Sequence, residues 1–225
     1  MDKARIEKEA WKLQFEIYSQ RKMLWPNTLP PVLAMFEPRV VAEYLGFEYE
    51  IRDRLGAIDS RTSEAAGTID LGRQIIAVSA QFSSEERRFT GAHEIAHAVM
   101  HPWIGERVAH RDRPMFDLSG EHRAFEEREA DYFAACLLAP KKIVIKQFEL
   151  RFDTRKPFPM TEATLFAIGA SNDLFAAPRG SLLFGKALAV RQSYGTKKFP
   201  SLCQHFGLSP SAMAIRLREC GLIVD

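Results

Sequence analysis

Residues 88–97 of the chain read Arg88-Phe89-Thr90-Gly91-Ala92-His93-Glu94-Ile95-Ala96-His97, and this stretch is the most informative part of the sequence. His93 and His97 are four residues apart, so a helix would project both imidazoles from one face, about one turn apart. Two such imidazoles can hold one zinc ion, and Glu94 can act as general base towards a metal-bound water. The neighbouring residues are small or apolar, which predicts a buried helix in which unligated histidines would be unfavourable.

The helix that carries this HExxH motif is predicted to begin at Ser83 and to end before Pro102. Glu86 follows Ser83 by three residues, which is the spacing of a capping box. The motif alone is moderately specific, because two satisfied core histidines beside a surface glutamate would give the same pattern. A third ligand decides between the two interpretations.

A second long helix, predicted over residues 121–138, supplies that ligand. On a helical wheel Glu126 and Glu127 flank its apolar face about equally, whereas Glu129 points away from it. Asp131 lies four residues after Glu127 and shares its face, so it can accept a hydrogen bond from the free ring nitrogen of a ligand histidine. We therefore predict Glu127 as the third ligand and Asp131 as the residue that supports a ligand histidine through this hydrogen bond. The alternative is a charged helix edge with no role.

Two histidines and one glutamate leave a fourth coordination position for water, which is the arrangement of a catalytic zinc site rather than a structural one. The expected chemistry is peptide hydrolysis by a zinc-dependent endopeptidase with one zinc ion per chain. Zinc polarises the scissile carbonyl and lowers the pKa of its water, and Glu94 passes the proton to the leaving amine. Manganese or iron could occupy the same ligands.

The rest of the chain predicts an α+β fold that is mainly helical and has a small three-stranded sheet. The strands are expected at residues 47–51, 67–70 and 74–78, with a hairpin turn at Leu71-Gly72. Residues 102–120 are predicted to form a loop. Short helices are expected at about residues 39–45, 141–150, 161–169 and 180–192.

Three regions are predicted along the chain. Residues 1–30 form an N-terminal helical arm, for which packing on the core is favoured over docking to a partner. Residues 31–150 form the metallopeptidase domain. Residues 151–225 form a helical C-terminal region that ends in a helix-turn-helix-like unit at about residues 198–223.

The stretch at residues 88–97 and the run from Glu127 to Pro140 together resemble the ImmA/IrrE family of metallopeptidases, whose second motif is E-x-x-A-N-x-F-A-A-x-L-L-M-P. The Gly67-Thr68-Ile69-Asp70 strand also fits, and the resemblance covers about residues 35–140. Asp131 stands where the family usually has Asn, which could strengthen or alter its hydrogen bond. Ala139 stands where the family usually has Met.

The resemblance implies a small intracellular, zincin-like (gluzincin-like) peptidase that makes a limited cut in a helix-turn-helix repressor and so regulates transcription. By motif position it implies His93, His97 and Glu127 as zinc ligands and Glu94 as the base. Peptide hydrolysis also needs a donor that stabilises the oxyanion, and the sequence does not choose among five candidates. These candidates are His101, His110, His122, Tyr132 and Tyr194.

The C-terminal unit raises the question of DNA binding. Gly207 can end its first helix, Ser209 can cap the second, and Pro210 suits the first turn. The start of the second helix offers no Arg, Asn or Gln for base contacts, so packing or partner docking is favoured over sequence-specific DNA binding. The candidates for nucleic-acid or partner contact are Lys197, Lys198, Arg216 and Arg218.

Composition limits the alternatives. The chain has 225 residues, 46% hydrophobic and 27% charged, with a net charge of +2, so it is globular and any nucleic-acid contact must be local. It shows no signal segment and no membrane-spanning apolar run, and its three scattered cysteines favour the cytoplasm. The alternatives to an endopeptidase are a non-catalytic, metal-containing regulator that binds DNA or sequesters a repressor, and one half of a toxin–antitoxin module.

Overall fold

A computed structural model describes residues 1–55, 65–102, 109–111, 125–154, 157–169, 174 and 181–224 of the chain. The chain divides into two compact units, Met1–Leu138 and Ala139–Asp225. The fold is α+β and mainly helical, as the sequence predicts. The domain boundaries at residues 30 and 150 stay predictions.

The first unit combines helices with one sheet. Its helices are α1 (Lys3–Ser19), α2 (Arg21–Leu24), a 3-10 helix (Val32–Phe36), α3 (Pro38–Tyr44), α4 (Ser84–Met100) and α5 (Phe125–Leu138). Its strands are β1 (Glu48–Arg52), β2 (Gly67–Asp70), β3 (Ile75–Ser79) and β4 (Ala109–Arg111).

The sheet of the first unit has four strands in the order β1-β3-β2-β4, not the three that the sequence predicts. β1 runs parallel to β3, while β2 is antiparallel to both β3 and β4. β4 lies inside the predicted loop at residues 102–120. Three residues are too few to show an alternating pattern, and β4 exists through its pairing with the distant β2, so the sequence does not reveal it.

α4 begins as predicted. The Ser83 hydroxyl accepts from the backbone N–H of Glu86, and the Glu86 carboxylate accepts from the backbone N–H of Ser83 at 3.0 Å. The helix packs against β2 and β3 on one side and against α5 on another. This position places the motif at residues 93–97 in the interior of the first unit.

α5 lies against both α4 and α1. The inner face of α1 is buried through Ile6, Leu13 and Ile17, so the N-terminal helix packs on the core, as favoured from the sequence. The Gln14 amide nitrogen donates to the backbone carbonyls of Cys136 and Leu137, at 3.0 and 2.9 Å. These bonds satisfy carbonyls at the end of α5 that have no partner within the helix.

The second unit is helical with two small two-stranded sheets among its described residues. The predicted helices at 141–150, 161–169 and 180–192 are confirmed as α6 (Lys141–Phe152), α7 (Glu162–Ala167) and α8 (Leu183–Ala189). The remaining elements are β5 (Phe158–Pro159), β6 (Ser193–Tyr194), β7 (Lys197–Lys198), α9 (Leu202–Phe206), α10 (Pro210–Glu219) and β8 (Ile223–Val224).

The C-terminal tail has the predicted local signals. Gly207 ends α9 with φ +57°, and the Ser209 hydroxyl accepts from the backbone N–H of Ala212 to cap α10. The assignment of this tail as a helix-turn-helix-like unit stays a prediction. Within the described ranges, no helix has both the length and the apolar character needed to cross a bilayer.

Candidate metal centre

The motif residues of α4 are buried. His93 is 0%, Glu94 1% and His97 3% exposed. Ala92 and Ala96 are fully buried beside them, and their small side chains let α4 approach its neighbours closely. At this degree of burial, polar side chains are unfavourable unless they have strong partners.

Three of the predicted site residues converge on one point. The Nε2 atoms of His93 and His97 are 3.1 Å apart. Glu127 on α5 places Oε2 at 3.2 Å from Nε2 of His93 and Oε1 at 3.3 Å from Nε2 of His97. Two adjacent helices thus bring together the two nitrogens and the carboxylate that the sequence predicts.

The donor set suits a single cation. One ligand atom from each of His93, His97 and Glu127 can be chosen so that all lie within 4.8 Å of one another. Atoms bound to one tetrahedral ion at about 2.0–2.1 Å are about 3.3 Å apart, close to the spacings of 3.1 to 3.3 Å seen here. Imidazole nitrogen and carboxylate oxygen are also the usual donors for such a divalent ion. The residues present therefore fit a metal.

Asp131 takes the position predicted for it. Its Oδ1 lies 2.9 Å from Nδ1 of His93, on the side of the ring that faces away from the convergence point. A carboxylate only accepts hydrogen bonds, so it holds the proton of His93 on Nδ1 and leaves Nε2 as a lone pair. The two acids of α5 thus lie on opposite sides of one ring, Glu127 near Nε2 of His93 and Asp131 near Nδ1.

The structure adds two residues to the predicted ligand cluster: Glu129, and His101, which the sequence offers only as a candidate oxyanion donor. His101 follows His97 by one turn, and its Nδ1 lies 3.3 Å from Nδ1 of His97. Its Nε2 lies 3.2 Å from Oε2 of Glu129 on α5. The expectation that Glu129 points away is wrong, since it is 4% exposed. Both α1 and α4 pack against α5, so α5 is buried on more than one face. A helical wheel that assumes a single buried face therefore fails to predict the burial of Glu129.

Glu94 lies against β2. A Cβ atom built on Gly67 would be 2.8 Å from Oε1 of Glu94 and 2.3 Å from Cγ2 of Thr90. Strand and helix approach so closely that only a residue without a side chain fits at this strand position. Gly67 is thus part of the wall around the carboxylate of Glu94.

The electrostatics of the cluster favour an ionised carboxylate. Burial disfavours the charge on Glu127, but the neighbouring rings of His93 and His97 outweigh burial and hold the pKa of Glu127 well below its ordinary value. Burial also lowers the pKa of His101, against the opposing effect of Glu129. Glu127 is therefore negative at neutral pH, as a metal ligand must be.

The structure gives side-chain contacts for three of the five predicted oxyanion candidates, His101, Tyr132 and Tyr194. His101 is engaged with His97 and Glu129, and the Tyr132 hydroxyl donates to Glu7 on α1 at 2.6 Å. Tyr194 belongs to the second unit, where its ring packs against Phe152 and Phe158. His110 is described as backbone of β4, and His122 lies outside the described residues.

The predicted C-terminal contact residues differ in exposure. Lys197 and Lys198 are exposed, and Lys197 forms an ion pair with Asp153. Arg218 is half-buried and donates to the Ser181 carbonyl at 2.9 Å.

Arg216 requires a correction, because it is 1% exposed and lies inside the second unit. Its Nε donates to the Ala139 carbonyl at 2.9 Å and its Nη1 contacts Glu219 at 3.1 Å. Helix phase places this guanidinium in the interior, so it is no longer a candidate for contact with nucleic acid or a partner.

Comparison with known proteins agrees with this geometry. Residues 49–169, more than half of the chain, match the model of a peptidase family, M78, described as the IrrE N-terminal-like domain. The matched range contains α4 and α5 and thus every residue of the cluster. No individual curated protein matches the chain.

Proposed function

Since the chain belongs to the IrrE N-terminal-like peptidase family, we propose that it is a zinc-dependent endopeptidase of the cytoplasm that cleaves a helix-turn-helix transcriptional repressor at one site. Membership of this family supports a metallopeptidase-type activity and a protein substrate. The proposal goes beyond family membership in three respects. It names zinc as the metal, it places the cut within the substrate chain, and it names the class of substrate.

One observation carries the proposal: His93, His97 and Glu127 converge within the reach of one cation. The ligand set would be these three residues, with Asp131 holding the ring of His93. Bound zinc supplies Lewis acidity, which polarises the scissile carbonyl and lowers the pKa of water. Two nitrogens and one carboxylate leave room for substrate, as catalytic sites require and closed structural sites do not.

Glu94 is the proposed general base. It follows His93 directly in the chain, and it is buried at 1% exposure between α4 and β2. Its carboxylate would take a proton from the attacking water and return it to the leaving amine as the peptide bond breaks. Binding a metal needs the three ligands but not Glu94, so the presence of Glu94 favours hydrolysis over a metal-bearing regulator without activity.

The experiment uses as candidate substrates the products of the neighbouring reading frames, beginning with any small helix-turn-helix repressor among them. The zinc-loaded wild-type protein should cut it once, and mass spectrometry of the fragments identifies the bond. Glu94→Gln should keep about one zinc per chain and lose about 10²-fold or more of the cleavage rate. Cleavage by Glu94→Gln at the wild-type rate would refute the assigned mechanism.

The same assay tests the regulatory alternative. A chain that binds the repressor or its operator tightly but never cuts it would be a regulator. The burial of Arg216 leaves Lys197, Lys198 and Arg218 as the basic candidates for such contact.

A further inference from the structure

The row of histidines that begins on α4 extends one turn beyond the proposed ligands, to the C-cap residue His101. His93, His97 and His101 follow one another at intervals of four residues, and all three are buried. His101, the last histidine of the row, contacts Glu129, a residue of α5 that is 4% exposed. A buried carboxylate and a third buried histidine are unfavourable unless they have a role or strong partners.

The two proposed ligand histidines are held differently. Nδ1 of His93 faces a carboxylate directly, at 2.9 Å from Asp131. Nδ1 of His97 faces another ring nitrogen, Nδ1 of His101, at 3.3 Å. Two ring nitrogens at this distance form a hydrogen bond only when one carries a proton and the other offers a lone pair.

We propose that His101 and Glu129 are positioning residues that fix the tautomer and the ring orientation of His97, so that Nε2 of His97 faces the metal as a lone pair. The inference rests on the proposed function, because it concerns a ligand of the same site.

With neutral imidazoles, the donors and acceptors along this path have one order that satisfies Glu129. The Glu129 carboxylate only accepts, so Nε2 of His101, at 3.2 Å, carries the proton between them. The neutral ring of His101 then has a lone pair on Nδ1, which accepts the Nδ1 proton of His97. This leaves Nε2 of His97 deprotonated, where it lies 3.1 Å from Nε2 of His93. Glu129 thus does for His97, through one intermediate ring, what Asp131 does directly for His93.

The reverse order is unfavourable for metal binding. A proton on Nδ1 of His101 would require Nδ1 of His97 to accept it, and the proton of His97 would move to Nε2, the atom proposed to bind the metal. The carboxylate of Glu129 disfavours that arrangement, because it would lose its donor while buried. Glu129 therefore selects the tautomer of His97 through the ring of His101.

The test measures the affinity of the full-length chain for zinc alone, by competition with a chromophoric chelator. His101→Leu/Glu129→Leu removes both polar groups and leaves no buried charge, and zinc affinity should fall about 10- to 100-fold. Glu129→Gln can present either its oxygen or its NH2 group to Nε2 of His101, so zinc affinity should fall less than in the double variant. Met100→Ala, which removes a buried side chain of α4 beside the path, should also bind zinc as wild type does.

A second measurement needs no variant. In the zinc-loaded protein with 15N-labelled histidine, a coupling between the two Nδ1 nuclei of His97 and His101 is expected across their hydrogen bond. A proton on Nδ1 of His101 would overturn the inference, as would wild-type zinc affinity in the double variant. If the wild-type chain binds no zinc at all, the proposed function fails together with it. If zinc binds equally well without His101 and Glu129, only this inference fails.

Discussion

Gly67 on β2 lies so close to Glu94 on α4 that a Cβ atom added to the glycine would be 2.8 Å from the glutamate Oε1 atom. The strand therefore limits where the proposed general base can be. Because the same added atom would be 2.3 Å from Cγ2 of Thr90, a side chain at this position must displace both residues.

Gly67→Ala should reduce both stability and hydrolysis. Overpacking of this kind lowers the free energy of unfolding by about 1–3 kcal/mol, and a displaced Glu94 is less able to take the proton of the attacking water. Urea denaturation measures the first effect and repressor cleavage the second. Cleavage at the wild-type rate would show that Gly67 does not position Glu94.

Gly67→Ala/Thr90→Ser separates the two effects. Thr90→Ser removes the Cγ2 atom that the new methyl group would overlap, while the close approach to Glu94 remains. Stability should recover in part, and cleavage should stay low. Full recovery of cleavage would mean that Thr90 alone was responsible.

Glu127→Ala should lose zinc, whereas Glu126→Ala should retain about one zinc ion per chain. The two residues are adjacent on α5 and both are half-buried, but only Glu127 is in the cluster with the two histidines. Elemental analysis after dialysis measures the stoichiometry. Zinc retained in Glu127→Ala and lost in Glu126→Ala would reverse the assignment.

Asp131→Ala should weaken zinc binding about 10- to 100-fold, because the ring of His93 would lose the acceptor at 2.9 Å that orients it. Asp131→Asn keeps an acceptor oxygen at the same place and restores the residue usual in the family, so its affinity should be nearer to wild type. Competition with a chelator compares the three proteins. Equal affinities would exclude a role for Asp131.

Tyr49→Phe should change the response of the fold to alkali. Burial raises the pKa of Tyr49 to about 12, partly offset by Arg39. The folded state therefore favours the neutral phenol. This contribution is complete below the ordinary pKa of 10 and is lost as the pH rises towards 12.

The wild-type free energy of unfolding should accordingly fall by about 2–3 kcal/mol more than that of Tyr49→Phe between pH 9 and pH 12. Urea denaturation at a series of pH values gives the difference between the two proteins. Parallel curves would contradict the buried, neutral phenol.

Arg216→Ala should destabilise the second unit by about 3–5 kcal/mol, because it takes a buried donor away from the Ala139 carbonyl and from the half-buried carboxylate of Glu219. Arg218→Ala, at a half-buried position two residues on, should have a smaller effect. Thermal and urea unfolding compare the two variants. Equal and small losses would place the Arg216 guanidinium at the surface.

Local rules predict the parts of the structure that depend on neighbours in sequence. The capping box at Ser83 and Glu86 needs residues three apart, and the pairing of His93 with His97 needs residues four apart. The preference for Glu127 over Glu126 came from the same rule, because Asp131 shares the face of Glu127. Each of these relationships is contained within a single helix.

The features that the sequence did not reveal depend on contacts between distant segments. Glu129 is buried because His101, 28 residues earlier, provides its donor. Arg216 is buried because the carbonyl of Ala139, 77 residues earlier, accepts from it. β4 exists through its pairing with β2. A charged residue in a helix is expected at the surface until its partner is known.

The donor and supporting side chains of the proposed centre, from His93 to Asp131, belong to α4, to its C-cap residue His101, and to α5. The packing of these two helices therefore sets the distances between the ligand atoms of the cluster. A designed bundle that reproduces the crossing of this pair, with the same six side chains, should acquire the affinity for zinc without any other segment of the protein.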